Sequence, residues 1–165
     1  MLSKCKLLNC DVEIDKEKTE QWYAQADDWG CDCGNCINFL EVVKRDLLPS
    51  HIKKHLESLH IPASKATYVC LLDGEHLYQF SYRIAGNILS NEPSWEDNGH
   101  CCHESYPYGA SDFPAPHFDI EFCVEFPWVM YNNIRAQRSE FHSAVILSTR
   151  LCIAKQNLSI GVNVV

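Results

Sequence analysis

Residues 67–88 read TYVCLLDGEHLYQFSYRIAGNI. Two runs rich in β-branched and aromatic residues flank Asp73 and Gly74. An Asp-Gly pair supplies the positive φ values that a hairpin turn requires, so residues 67–72 and 76–88 read as neighbouring antiparallel strands. Downstream, residues 117–126 alternate: Phe118, Ile120, Phe122, Val124 and Phe126 interleave with Asp119, Glu121, Cys123 and Glu125. That period of two predicts a strand with one face in the core and an acidic face in solvent. Near the start, Leu8, Cys10, Val12 and Ile14 alternate with Asn9, Asp11 and Glu13, which predicts one more antiparallel strand.

Between these strands the period changes. Ile37, Leu40, Val43 and Leu47 recur every three or four residues, so residues 34–47 read as an amphipathic helix buried along that stripe. A second helix follows Pro49, with Ile52, Leu56 and Leu59 on one side, and it must end before Pro62 because a residue preceding proline avoids the helical region. The expected architecture is therefore α+β, a mainly antiparallel sheet packed against a two-helix hairpin in a single domain. Residues 15–29 are polar with aromatic anchors and show no clean period. Residues 90–117, rich in Gly, Pro, Asn and Ser, read mostly as loop.

The chain has 165 residues, which suits one domain, and no apolar run approaches the roughly 18 residues of a membrane span. The first residues turn acidic before an export signal could form, so the expected location is the cytoplasm. A net charge of −8 argues against nucleic acid, whose phosphates need clustered Lys and Arg, and leaves basic proteins or cations as partner classes, another protein being the expected one. Charge is unevenly spread: residues 1–133 carry 10 Lys and Arg against 21 Asp and Glu, whereas residues 134–165 carry 4 against 1. Residues 1–131 are accordingly read as the domain and residues 132–165 as a tail.

The chain contains 10 cysteines, and three of them, Cys31, Cys33 and Cys36, fall within six positions. Three readings stay open. The thiols could be zinc ligands, since thiolates suit that ion and a Cys-x-x-Cys spacing reaches one ion across a turn. A trio leaves one position to be filled from elsewhere, and HCCHE (100–104) offers Cys102 and His103, with His100, Cys101 and His117 nearby. They could instead be redox thiols, Cys33 attacking and Cys36 resolving at a helix start. That reading lacks an apolar strand before the motif and has Asp27, Asp28 and Asp32 opposing a thiolate. The third reading is plain packing where loop meets helix.

Residues 31–69, CDCGNCINFLEVVKRDLLPSHIKKHLESLHIPASKATYV, resemble a bacterial pattern of the form CxCxxCxNF, helix, Leu-Pro, helix, Ile-Pro, strand. The pattern occurs in small uncharacterised intracellular proteins, some of which resemble immunity proteins of toxin systems. Residues 106–129, YPYGASDFPAPHFDIEFCVEFPWV, resemble a block near the end of one such family. The resemblance covers residues 10–131. It implies a compact α+β domain with no established activity, and it makes the cysteines the prime candidate site. The expected function is thus a non-enzymatic binding or interaction domain, with a structural zinc held by Cys31, Cys33 and Cys36 together with Cys102 and His103; the alternative is a thiol-disulfide redox enzyme.

Overall fold

A computed structural model describes residues 1–90, 95–103 and 109–130. In chain order it places β1 (Ser3–Leu7), β2 (Cys10–Ile14), α1 (Lys16–Gln25), α2 (Gly34–Lys44), α3 (Ser50–Ser58), β3 (Tyr68–Leu71), β4 (Leu77–Ile88), β5 (Gly99–Cys102) and β6 (His117–Glu125). All strand pairs are antiparallel, in the order β1-β2-β4-β6-β5, with β3 also on β4. The α+β architecture read from the sequence is the one observed. The expected tail, residues 132–165, lies outside the described residues.

β4 organises the sheet. One of its edges pairs with β6 from Leu77 to Ala85. Its other edge is divided: Tyr78 to Ser81 pair with β3, and Gly86 to Ile88 pair with β2. Gly86 is required where β2 joins, because its φ is +146° and a Cβ there would run into the Glu13 carbonyl.

Between β3 and β2 the backbone groups of Arg83 and Ala85 have no strand to meet, and α1 supplies their partners. The Tyr23 hydroxyl donates to the Arg83 carbonyl (3.1 Å) and accepts from the Arg83 N–H (3.0 Å). The Thr19 hydroxyl accepts from the Ala85 N–H (3.1 Å), and the Asp15 N–H donates to the Ala85 carbonyl (2.8 Å). A helix thus stands in for a length of missing strand, which meets the requirement that buried backbone groups be paired. The polar segment without a clean period is this helix. Only Thr19 and Tyr23, four apart, are buried in it, too few to give a periodic signal, although Asp15 caps it by accepting from the Lys18 N–H (3.2 Å).

Tyr78, Phe80, Tyr82 and Ile84 of β4 form the main core with Phe118, Ile120 and Phe122 of β6. Phe39 of α2 packs on Phe80 at 5.1 Å between ring centres. The buried side of α2 is Cys36, Asn38, Phe39 and Val42, one residue out of step with the expected stripe; Ile37, Leu40 and Val43 are half-buried and Leu47 is exposed. Both stripes have helical spacing, and the helix's orientation on β4 selects the one ending in Val42. α3 buries Ile52, Leu56 and Leu59 as expected.

Three other elements differ from expectation. The single opening strand is a hairpin, β1 to β2, turning at Leu8 and Asn9 with φ of 47° and 59°. The turn after β3 is longer than an Asp-Gly hairpin: the Asp73 carboxylate accepts the N–H groups of Glu75, His76 and Leu77 at 2.8–3.0 Å. β5 forms inside the stretch read as loop, on the open edge of β6. The Cys101 thiol of β5 reaches the Leu7 carbonyl (3.4 Å), so the two ends of the strand order curl towards each other.

The acidic side of β6 is solvated only at its end, where Glu125 is exposed. Asp119 and Glu121 are buried, Asp119 against Arg83 and Glu121 near His100. The segment leading into β6 covers this side, with the Ala110 carbonyl accepting from Arg83 Nη1 (3.0 Å). Among the described residues no helix is long and apolar enough to cross a membrane.

Candidate metal centre

The chain leaves α1 at Ala26, and Trp29 N–H donates to the Ser64 carbonyl (2.9 Å) while the Ser64 hydroxyl donates to the Asp28 carboxylate (2.6 Å). These bonds fix the path of residues 28 and 29 just before the cysteines. The chain bends at Asp28 and again at Cys33, Cys33 stands at the N-cap of α2 in an extended conformation, and the helix begins at Gly34. Cys36 follows in the first turn, on the same buried side as Phe39 and Val42.

This geometry brings the Cys31, Cys33 and Cys36 sulfurs together, all within 4.8 Å of one another. Cys36 is buried, while Cys31 and Cys33 are half-buried. None of the nine described cysteines is in a disulfide. The three thiols are not equivalent. The Cys33 backbone N–H, directed at the Cys31 sulfur, holds the Cys31 thiol below its ordinary range. Burial pushes the Cys36 thiol well above its ordinary value, and the Trp29 indole acts in the opposite direction by favouring its thiolate. Trp29 Nε1 is itself buried, and the Cys36 sulfur is the acceptor it faces.

Cys102 and His103 do not join the trio. Cys102 ends β5 opposite Asp119 of β6, and His103 follows it. Among the described residues no fourth Cys, His, Asp or Glu joins the three sulfurs at their mutual spacing. The long segment before β6 does approach the centre, but through Gly109, where an added Cβ would collide with the Thr67 carbonyl and press on the Trp29 ring at 3.0 Å. Among the described residues of that segment, a glycine against an aromatic ring makes the contact.

Two residues that sequence reasoning passed over support the centre. Trp29 is one. The other is Asn38, in the middle of the motif and fully buried. Its Nδ2 donates to the Tyr78 hydroxyl and to the Pro127 carbonyl, both at 3.2 Å, and its Oδ1 accepts from the Val129 N–H (2.7 Å). Asn38 therefore ties α2 to β4 and to the segment after β6; burial pushes the Tyr78 phenol up to about 12. A polar residue between Ile37 and Phe39 was the only available signal.

Compared with protein-family models, with curated proteins and with solved structures, the chain matches none.

Proposed function

We propose that this chain is a metal-binding module in which Cys31, Cys33 and Cys36 hold one zinc ion as thiolates at the start of α2. The observation that carries the reading is the convergence of three sulfurs within 4.8 Å. Thiolates about 2.3 Å from a shared zinc stand roughly 3.8 Å apart, so small side-chain rotations suffice to close the site.

The surroundings fit the same ion. The Cys33 N–H points at the Cys31 sulfur, and the buried Trp29 N–H favours the Cys36 thiolate. N–H groups aimed at ligand sulfurs are the outer-shell contacts that orient and stabilise metal thiolates. The first turn of α2 adds the positive end of its dipole. Redox chemistry at Cys33 and Cys36 has less support: helix and loop, not a strand, precede the motif, and the thiol with the lowered pKa is Cys31, outside that pair.

In this reading zinc fastens the 26–33 loop to α2, and the chain works by binding another protein, its net charge of −8 suiting a basic surface. Elemental analysis of the purified chain tests the metal. About one zinc per chain is expected, lost in Cys36→Ala and kept in Cys102→Ser. A metal-free chain whose three thiols are all freely alkylated overturns the proposal.

A further inference from the structure

Zinc takes four ligands in a tetrahedron, and sites with three protein ligands keep the fourth position open to water or a substrate. Among the described residues the cysteine trio is not joined by a fourth donor. Cys31 also lines a cleft of about 520 Å³, walled by Trp22, Trp29, Asp28 and Asp112 with Gln25 at its edge. Such a volume lies within the roughly 300–1,000 Å³ of small-molecule sites. Cys36 is buried, Cys31 and Cys33 are half-buried, and of the three Cys31 lines the cleft, so the cluster meets the cleft on its Cys31 side.

We infer that the fourth position of the ion opens into this cleft and takes an external neutral nitrogen donor, an imidazole or an amine, carried on a flat apolar body. The inference rests on the zinc reading above. Charge selects the donor class. Three thiolates on a divalent ion leave the centre with a net charge of −1, a local field that has to be counted with the ion's own charge. Asp27, Asp28 and Asp112 add negative charge to the cleft; its one lysine, Lys65, donates its ammonium to the Tyr23 carbonyl (2.6 Å). An anionic ligand meets repulsion from both. A neutral imidazole or amine nitrogen does not, and nitrogen is a natural partner for zinc. Trp22 and Trp29 supply the flat apolar wall such a body would pack on, while Ala66 lines the cleft beside them.

The test uses the full chain loaded with cobalt(II), whose visible absorption reports its ligands. Titration with imidazole is expected to shift the bands saturably, and azide over the same range to leave them unmoved. Gln25→Trp, at an exposed position outside the trio, is expected to keep the cobalt bands and lose the imidazole shift by filling the cleft. Bands that ignore imidazole mean the chain itself fills the fourth position, which overturns the inference and leaves the zinc reading standing. A larger response to azide than to imidazole overturns the choice of donor class. An imidazole shift that persists in Gln25→Trp overturns the cleft as the route. Absence of cobalt bands overturns the zinc reading, and the inference with it.

Discussion

Arg83 and Asp119 stand directly opposite each other on β4 and β6 and form a two-pronged ion pair in the interior, Nε to Oδ1 at 2.9 Å and Nη2 to Oδ2 at 3.3 Å. Their side chains are 1% and 2% exposed. Strand alternation correctly places Asp119 opposite the apolar face but says nothing of a partner contributed by another strand. Removing one partner strands a buried charge. Arg83→Met should therefore cost about 3–5 kcal/mol, whereas Arg83→Met with Asp119→Leu should recover most of that loss. Urea unfolding of the two variants checks it; a double variant no more stable than the single one would refute the account.

Tyr23→Phe removes the hydroxyl that serves both backbone groups of Arg83. The loss leaves a buried N–H and C=O unpaired and should cost about 1–3 kcal/mol. Hydrogen exchange should speed up at the Arg83 amide more than at Phe80, whose position on β4 lies within the stretch paired with β3 and β6. Equal acceleration at both sites would show that α1 does not act as a substitute strand.

His100 gives the fold an acid sensitivity. Burial lowers its pKa from 6.5 to about 4, its Nδ1 is buried without a hydrogen-bond partner, and its ring lies 4.1 Å from that of Trp95. The unfolded chain then binds a proton between pH 6.5 and 4 that the folded chain refuses. Stability from this group is complete above pH 6.5 and falls as pH drops towards 4, by up to about 3 kcal/mol. Glu121, 3.9 Å from Nε2, offsets part of the loss by pairing with the charged ring. His100→Phe should flatten this part of the pH profile in denaturant titrations; an unchanged slope would count against it.

Asn38→Leu keeps the volume of the side chain and deletes three hydrogen bonds to Tyr78, Pro127 and Val129. A loss of about 2–3 kcal/mol is expected, together with faster hydrogen exchange at the Val129 amide. Retention by this variant of the zinc proposed for Cys31, Cys33 and Cys36 would separate the clamp at Asn38 from the cysteine site.

Local chemistry determined much of this protein. The alternation in residues 117–126, the stripe of Ile52, Leu56 and Leu59, and the proline limits of α3 are properties of neighbouring residues, so they were legible without coordinates. The spacing of Cys31, Cys33 and Cys36 at a helix start was legible in the same way, whereas the approach of their sulfurs to within 4.8 Å came from the structure. Tertiary structure decided what depends on distant partners. α1 exists where β4 leaves a length of edge unpaired, β5 forms because β6 has an open edge, and Asp119 is buried because Arg83 meets it 36 residues away in sequence. The separation of Cys102 and His103 from the trio belongs to this class too, because β5 pairing carries Cys102 to a place opposite Asp119. Spacing along the chain limits which ligands can meet locally; a contact across the fold is set by the paths of the strands between them.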